Sequence, residues 1–360
     1  MKIAILTPTL HYFSGIDRVV ELQALEYSKE GNSVTVFTLE STLKPKNFQL
    51  EVLGMPKSLL LQRLYRLLFF LDFKKIKNAA EKLQGCDVVI SHFYPMNWIA
   101  YYAKKKYDLE YTYYNHGIGY SELFGNVFER LYMKLFAFFN KVSLKNVDSA
   151  VSISKFMQSE LKKEIGLDSK VVYDKIDKKR FRTGIDGGKI RKILKIKGDE
   201  KLLLFVGRLS PHKNVHNLLK IFKIVNEKFP NTKLLVIGKQ TFPNYFKKLR
   251  NIANKNVIFK EFVNDTELPY YYAACDLYVT ASLWEGFNLP AAEAQACGKK
   301  VVAFDVCSHP EVVKNGILAN PKKCRKGIFG NLKILNFQVK DDIGGFADAI
   351  ISLLKKVRKL

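Results

Sequence analysis

Residues 201–237 read KLLLFVGRLSPHKNVHNLLKIFKIVNEKFPNTKLLVI, and this stretch decides the fold class. The apolar runs at 201–206 and 233–237 predict buried strands, and the apolar spacing at 217–228 predicts a helix between them. A strand, a helix and a second strand of these lengths are typical of a parallel sheet with a helical crossover. The stretch therefore predicts an α/β fold.

The same alternation continues on both sides of this stretch. In the second half of the chain, strands are predicted at 257–259, 277–279 and 301–304, with a helix at 289–296. The first half repeats the pattern, with strands predicted at 2–6, 33–37, 87–90, 111–115 and 150–153 and a helix at 15–29. Each half has enough strands for its own doubly wound sheet.

Length also favours two domains, since 360 residues exceed what one typical domain holds. Residues 173–200 are basic, contain a Gly pair and interrupt the strand pattern, so we place the hinge near their start. The predicted domains are 1–172 and 173–340. Residues 341–360 are predicted to form a helix that packs near the first domain or back toward it.

The composition is that of a globular protein with a strong positive charge. Hydrophobic residues make up 48% and charged residues 26% of the chain, which excludes a disordered or collagen-like protein. Lys and Arg outnumber Asp and Glu by 59 to 34, for a formal net charge of +25. This balance favours anionic partners, which are phosphates, a membrane surface or nucleic acid.

Cysteine usage and the terminal sequence point to the cytoplasm. Five scattered cysteines without a C-x-x-C pair predict neither a disulfide framework nor a zinc site. The amino terminus lacks the apolar run of a secretory signal. The most apolar helical stretch, 58–71, contains Arg63 and Arg66 and falls short of the roughly 20 apolar residues that span a bilayer. We therefore expect no membrane-spanning segment.

The segment EGFNLPAAEAQACGKKVVA, residues 285–303, is the most informative for chemistry. If Gly286 to Leu289 form the turn into a helix, their backbone N–H groups and the positive end of the helix dipole predict a phosphate site. Glu285 would stand at its rim, and Glu293 could accept hydrogen bonds from ligand hydroxyls. The alternative is chance, because a Glu early in a helix suits its dipole in any protein.

A second segment, LLLFVGRLSPHK at 202–213, places two cations after a strand. Ligands of open α/β sheets bind at the carboxyl ends of strands, so Arg208 and Lys213, after Gly207, could clamp a diphosphate. In a chain this rich in Lys and Arg, solvated surface charge is the alternative interpretation.

Taken together, these segments resemble a retaining glycosyltransferase of family 4. Such enzymes have the GT-B fold, in which two Rossmann-like doubly wound domains face a central cleft. The resemblance rests on FVGRLSPHKNVHNLL, LLVIGK, the E-x7-E of Glu285 and Glu293, and HPEVVKNGIL. The first domain matches more loosely, through SGIDRVVELQALEYSKEGNSVTVFT and SISKFM.

The resemblance implies a role for each matching residue. Arg208 and Lys213 would hold the donor diphosphate, Glu285 the sugar hydroxyls and Glu293 the ribose. Donor contacts are further implied at Gly15, Gly207, Phe262, Val263, Gly286, Phe287, Asn288 and Leu289. His116, in YYNHGIGY, matches a histidine beside the acceptor, for which a structural role is the alternative.

The resemblance also implies the reaction. The first domain would bind the acceptor, and the second would bind a UDP- or GDP-linked sugar. The sugar would pass with retention to a hydroxyl, for which we expect a lipid-linked saccharide in cell-surface glycan synthesis. No metal or other cofactor is expected, and the chain has no D-x-D motif.

Two segments suggest peripheral contact with the inner face of a membrane. Residues 59–77 and 128–145 combine large apolar side chains with Lys and Arg, as interfacial helices do. The alternative is that they pack their apolar faces inward and extend their basic ends into water.

Other functional classes fit less well. The chain has neither G-x-G-x-x-G nor G-x-x-x-x-G-K-[ST], which disfavours nicotinamide and P-loop chemistry. Nucleic-acid binding would suit the charge, but no helix-turn-helix, RNP or zinc pattern accompanies it, so no nucleic acid is expected. A non-catalytic relative that binds a sugar nucleotide stays open.

Overall fold

The structure is a computed structural model that describes residues 1–11, 15–117, 127–240, 242–321 and 340–357. The chain divides into two compact units, Met1–Lys175 and Ile176–Leu360. Each unit is a Rossmann-like α/β domain built on a parallel sheet, which confirms the predicted fold class.

The described part of the first unit contains a seven-stranded sheet. Its strands are β1 (Lys2–Leu10), β2 (Ser33–Ser41), β3 (Gln49–Val52), β4 (Val88–Ser91), β5 (Glu110–Asn115), β6 (Ser149–Ser152) and β7 (Lys170–Val171). They lie in the order β3-β2-β1-β4-β5-β6-β7, and neighbouring strands run parallel. Ile5 at the centre pairs with Val36 and Ile90, and all three side chains are buried. This apolar register is typical of a sheet covered on both faces.

Helices connect these strands. They are α1 (Gly15–Lys29), α2 (Leu59–Leu67), α3 (Phe73–Glu81), α4 (Asn97–Tyr107), α5 (Val127–Ser143) and α6 (Lys155–Ile165). Several begin and end where the sequence provides a cap. Ser154 accepts a hydrogen bond from the Met157 N–H at the start of α6, and Gly166 ends that helix in the left-handed conformation.

The second unit repeats the design with six described strands. They are β8 (Lys201–Val206), β9 (Thr232–Ile237), β10 (Val257–Lys260), β11 (Leu277–Thr280), β12 (Lys300–Phe304) and β13 (Gly316–Ala319). Their order is β10-β9-β8-β11-β12-β13, again all parallel. The helices are α7 (Gly188–Ile193), α8 (Val215–Lys228), α9 (Pro243–Ile252), α10 (Leu268–Ala274), α11 (Leu289–Ala296), α12 (His309–Val312) and α13 (Lys340–Val357).

The last helix, α13, packs on the second sheet. Its Phe346 ring lies 4.7 Å from the Phe304 ring of β12, and Ile350 and Leu354 are fully buried in the same core as α8. Apolar residues at positions i, i+4 and i+8 form one face of a helix, which explains why α13 covers this core.

Both sheets have a point where the strand order reverses. It lies between β1 and β4 in the first unit and between β8 and β11 in the second. The connections from neighbouring strands leave in opposite directions there, which opens a crevice at the carboxyl edge. Each domain therefore offers a ligand site at the residues that follow these strands.

Candidate active site

The loop after β8 is anchored to the end of β9. The Gly207 N–H donates to the Ile237 carbonyl at 3.0 Å, and the Leu209 N–H donates to the Lys239 carbonyl at 3.0 Å. Arg208 lies between these anchors with an exposed side chain. The backbone on both sides of Arg208 is therefore fixed by its contacts with the end of β9.

Close packing of two glycines shapes the same loop. A Cβ added at Gly238 would lie 1.9 Å from the Gly207 carbonyl oxygen, well inside van der Waals contact. The Gly238 N–H also donates to the Lys260 carbonyl at 2.9 Å, so the backbone has little freedom to move away. Gly238 is therefore needed for the position of Gly207 and Arg208.

Lys213 forms a buried ion pair with Glu285. Lys213 ends a 3₁₀ turn, Pro211–Lys213, and its Nζ lies 2.7 Å from each carboxylate oxygen of Glu285. The Lys213 side chain is 17% exposed and that of Glu285 is 9% exposed. The structure thus brings two predicted site residues, 72 positions apart, into direct contact.

Opposing effects set the charge state of Glu285. Burial raises the pKa of its carboxyl, but the charge of Lys213 and the hydrogen bonds from Lys213 and Ser282 lower it. The net effect is a pKa below the ordinary value for glutamate. Glu285 is therefore an anion at neutral pH.

Two further contacts hold the Glu285 loop in place. The Ser308 hydroxyl donates to the Glu285 carbonyl at 3.0 Å, and the Leu283 N–H donates to the His212 carbonyl at 2.9 Å. The second bond joins the loop after β11 to the loop after β8. The two loops that carry the ion pair are thus connected through backbone as well.

Asn288 caps the helix that follows Glu285. It has a left-handed backbone (φ 74°), and its Oδ1 accepts from the Ala291 N–H at 3.2 Å. Pro290 has no N–H, so two of the amides in this first turn are not offered to a ligand. These two amides are not among those of residues 286–289, which the sequence pattern assigns to a phosphate.

His309 fixes the orientation of the Asn288 amide. Asn288 Nδ2 lies 2.9 Å from Nε2 of His309, and Nδ1 of His309 lies 2.8 Å from the Phe304 carbonyl oxygen. Because a carbonyl only accepts, Nδ1 must carry the proton and Nε2 must accept from Asn288. The His309 ring is fully buried, which lowers its pKa and favours this neutral form.

Glu293 lies on α11, one turn after the cap, and contacts Tyr272 of α10. The Tyr272 hydroxyl donates to Oε2 of Glu293 at 2.8 Å, and both side chains are buried. The tyrosine donor fixes the carboxylate, each oxygen of which can accept more than one hydrogen bond.

The remaining predicted donor residues of the second unit fall into two groups. Gly286, Phe287 and Val263 are buried, whereas Phe262, just after β10, is 56% exposed. Leu289 is the first residue of α11. Apart from Leu289, they lie on the loops that follow strands β10 and β11.

In the first unit, His116 follows β5 and contacts His92, which follows β4. Nε2 of His116 lies 2.8 Å from Nδ1 of His92, and Nε2 of His92 lies 2.7 Å from Oε1 of Gln23 on α1. The two imidazole rings stack with centroids 5.0 Å apart. Gly15 begins α1, and residues 12–14 before it lie outside the described residues.

Burial keeps both histidines neutral. It lowers the pKa of His116 from 6.5 to about 4. Burial, followed by the effect of His116, also lowers the pKa of His92 well below its usual value. At neutral pH both rings are therefore uncharged, and a single N–H proton lies between Nε2 of His116 and Nδ1 of His92.

The sequence alone did not identify four of these residues, His92, His309, Ser308 and Tyr272. His309 and Ser308 lie at or beside the HPEVV segment, whose polar residues before a short helix were the available signal. His92 directly follows a strand at the predicted ligand edge, which was the signal there. For Tyr272, within YYY, no signal marked which ring would reach Glu293.

Within the described ranges, no three His, Cys, Asp or Glu side chains come together as metal ligands would. Nor is any described helix both long and apolar enough to span a bilayer.

Two family models match the chain, one for each unit. The model for glycosyl transferases group 1 matches residues 186–328, and the model for glycosyltransferase family 4 matches residues 13–180. Together they account for most of both domains.

Several relatives of the chain are named as glycosyltransferases. An uncharacterized glycosyltransferase of Methanocaldococcus jannaschii is 27% identical over 278 residues, which is 73% of this chain and 69% of the relative. O-antigen chain mannosyltransferase B of Escherichia coli is 33% identical over 126 residues, 33% of this chain and 32% of the relative. The matched part spans about half the length of several other curated relatives.

Solved structures share the fold at low sequence identity. Sucrose-phosphate synthase from Thermosynechococcus elongatus has a TM-score of 0.76 at 18% identity, covering 99% of this chain and 90% of that one. Anabaena HepE, solved in complex with UDP-glucose, has a TM-score of 0.70 at 21% identity and covers both chains fully, at 100% each.

Proposed function

The chain belongs to the family 4 glycosyltransferases with the GT-B fold, and from that premise we propose that it transfers a sugar from a nucleoside diphosphate sugar to a hydroxyl acceptor. The observation that carries the proposal is the buried ion pair of Lys213 and Glu285 beside the exposed Arg208. These groups lie at the carboxyl edge of the second sheet, where its strand order reverses.

The cations act on the leaving diphosphate. Arg208 offers a planar fork of donors, and Lys213 offers a compact charge on a fixed backbone. Negative charge grows on the diphosphate as the glycosidic bond breaks, and preorganised cations stabilise that charge. A diphosphate competes with the Glu285 carboxylate for Lys213, which leaves Glu285 to accept hydrogen bonds from sugar hydroxyls.

Glu293 is suited to hold the ribose. Tyr272 donates to one of its carboxylate oxygens, and a carboxylate can accept several hydrogen bonds at once. The two hydroxyls of the ribose would donate to the Glu293 carboxylate. Because Tyr272 already fixes this carboxylate, it would lose little conformational freedom on binding.

The donor is UDP- or GDP-linked. HepE was solved with UDP-glucose, whereas two O-antigen relatives are named as mannosyltransferases. Because these names indicate different donor sugars, the proposal includes both the uridine and the guanosine nucleotide. Transfer occurs with retention and without a metal ion, as the resemblance to family 4 implies. The acceptor attacks on the face that the diphosphate leaves, and a phosphate oxygen takes the hydroxyl proton.

The acceptor is a lipid-linked saccharide used in cell-surface glycan synthesis, met at the inner face of a membrane. Support comes from the O-antigen relatives and from a surface that we call the α5 patch. The patch comprises exposed residues of α5 with the basic residues among them, namely Phe128, Arg130, Leu131, Lys134, Leu135 and Phe138.

The spacing of the α5 patch favours an anionic membrane as its partner. Phe128, Leu131, Leu135 and Phe138 recur at positions i, i+3, i+7 and i+10, which places them on one side of the helix. The helix also packs against α2, since the Tyr132 hydroxyl donates to the Arg63 carbonyl at 3.2 Å. Its outer side therefore stays apolar after the inner side has packed, and the basic residues complement anionic lipids.

Donor consumption is the decisive measurement. The full chain is incubated with UDP- and GDP-linked sugars, with a polyprenyl-linked saccharide as acceptor, and the released nucleoside diphosphate is quantified. We expect release with one base, persisting in excess chelator, and an α-linked product from an α-donor. Nucleotide-sugar binding without any release would instead identify a non-catalytic relative, and strict dependence on a divalent ion would contradict the metal-independent mechanism.

A further inference from the structure

The strands β1, β4 and β5 are neighbours in the first sheet, and each is followed by a member of one hydrogen-bonded chain. Gln23 lies on the helix after β1, His92 follows β4 and His116 follows β5. The sheet order reverses between β1 and β4, so this chain lies at the edge where α/β domains bind ligands. His92 itself is fully buried.

Hydrogen-bond direction along the chain follows from Gln23. Its Nε2 lies 3.4 Å from the Tyr27 hydroxyl, which leaves Oε1 facing Nε2 of His92 at 2.7 Å. An amide oxygen only accepts, so Nε2 of His92 carries the proton. A neutral His92 then has a bare Nδ1, and Nε2 of His116 must donate to it across 2.8 Å.

We propose that His92 is a positioning residue that holds the proton of His116 on Nε2 and leaves Nδ1 of His116 as a hydrogen-bond acceptor for substrate. Within the residues that the structure describes, Nδ1 of His116 has no hydrogen-bond partner. His116 is 7% exposed, whereas His92 is sealed beneath it. The group that Nδ1 accepts from is a hydroxyl, the functional group common to the proposed sugar and acceptor.

Rigid packing supports the same arrangement. The Tyr114 ring stacks on His92 with centroids 4.9 Å apart and an interplanar angle of 22°. The backbone N–H of His92 donates to the Leu6 carbonyl at 2.9 Å. With ring and backbone both fixed, His92 cannot turn to exchange its two nitrogens, so the tautomer depends on Gln23.

The test compares Gln23→Met with a matched control. Methionine keeps the length of the side chain but removes the oxygen that accepts from His92. His216→Gln removes a half-buried histidine of α8 that contacts the Tyr245 hydroxyl at 3.0 Å, and it should change neither readout. Long-range ¹⁵N–¹H correlation spectra of histidine-labelled protein report which ring nitrogen of His116 is protonated.

In the unsubstituted protein we expect Nε2 of His116 protonated and Nδ1 bare. In Gln23→Met we expect a mixture of the two His116 tautomers. We also expect a kcat about tenfold lower, which is the size of loss seen when the hydrogen-bond partner of a metal-binding histidine is removed. The Kd for the nucleoside diphosphate, which contacts the other domain, should stay unchanged. A proton on Nδ1 in the unsubstituted protein, or an unchanged tautomer in Gln23→Met, would overturn the proposal.

The kinetic part rests on the proposed function, whereas the spectroscopic part does not. If no sugar is transferred, the proposed function fails, and the tautomer spectra still decide whether His92 and Gln23 set the protonation of His116. If transfer occurs and the spectra change while kcat does not, the positioning role is wrong and the glycosyltransferase assignment stands.

Discussion

Lys213 donates to both carboxylate oxygens of Glu285, each at 2.7 Å, and this pair joins the loop after β8 to the loop after β11. The two strands are neighbours at the reversal point of the second sheet. One residue of the pair is predicted to contact the diphosphate and the other the sugar. A donor molecule that bridges them would therefore bind across a contact that already exists.

Removing the cation should impair both activity and stability. We expect Lys213→Ala to lower turnover by about two orders of magnitude, because an electrostatic donor to the leaving group is lost. It also leaves a buried carboxylate without its partner, a loss of about 3 kcal/mol. In the double variant Lys213→Ala/Glu285→Gln, the melting temperature should return toward that of the unsubstituted protein while turnover stays low. Recovery of turnover in the double variant would contradict the assignment.

The cap of α11 should tolerate glycine better than alanine. Asn288 has a left-handed backbone and accepts from the Ala291 N–H, so Asn288→Ala loses the cap and strains the backbone. We expect a loss of about 2 kcal/mol for Asn288→Ala and less than half of that for Asn288→Gly. Thermal melts of the two variants are the measurement. Equal melting temperatures would mean that the conformation at residue 288 carries no strain.

Gly238→Ala should displace the Arg208 loop. The new Cβ would overlap the Gly207 carbonyl oxygen, and the loop must shift to relieve the overlap. We expect donor affinity to fall by about tenfold to a hundredfold, as for small displacements of binding groups. Gly198→Ala is the matched control, since nothing lies within 4 Å of a Cβ there. Calorimetric titration with UDP and GDP measures both, and equal affinities would refute the steric argument.

Stability should fall as the solution is acidified through the ordinary range of histidine. The folded pKa of His116, about 4, lies below its unfolded value of 6.5, so the unfolded chain takes up protons first. The stabilising contribution is present above the unfolded pKa and decreases as pH falls toward the folded one. His116 alone accounts for about 2 kcal/mol between about pH 7 and about pH 5.

Melting temperature as a function of pH checks this prediction. The profile of His116→Asn should be flatter than that of the unsubstituted chain in this window. His11→Asn is the control, because it replaces a histidine just after β1 whose Nε2 lies 3.9 Å from a carboxylate oxygen of Glu40, a neighbour that His116 does not have. Parallel profiles for all three proteins would show that burial of His116 does not govern its protonation.

The α5 patch should bind anionic vesicles. We expect Leu131→Glu/Phe138→Glu to abolish co-sedimentation with anionic liposomes, because two charges enter the apolar row. Ile193→Glu, which changes an equally exposed apolar residue of α7, should keep it. Binding should weaken with salt and be small on neutral vesicles. Equal, negligible sedimentation with both vesicle types would remove the membrane from the proposal and leave sugar transfer untouched.

Strand interiors were predictable from sequence, but the ends of strands were less so. The predicted helix 289–296 matches α11 residue for residue, because Gly286 and Gly298 lie on either side of its apolar run. Strand β1 extends beyond the predicted end, from residue 6 to Leu10. Thr7 and Thr9 remain in the strand because their hydroxyls find partners in the Thr9 carbonyl and Asp17. Strand β13 was missed, although strands of the same length, such as β4 and β11, were predicted from their apolar runs.

The residues of the site were likewise only partly predictable from the sequence. The pattern identified Glu285 and Lys213 as separate candidates, and only the fold shows that they form one ion pair. His92 and His309 act through partners that lie 24 and 21 positions away, His116 and Asn288. A pairing between distant residues depends on which strands become neighbours, and hydrophobic periodicity does not contain that information.

The packing of α13 has a consequence for biosynthesis. Phe346, Ile350 and Leu354 cover the core beside α8, yet they leave the ribosome long after β8 and α8 have been made. Until then, one face of the nascent second domain remains uncovered and open to chaperones or to neighbouring chains. The first unit ends on β7, a strand at the edge of its sheet, and can fold while translation continues.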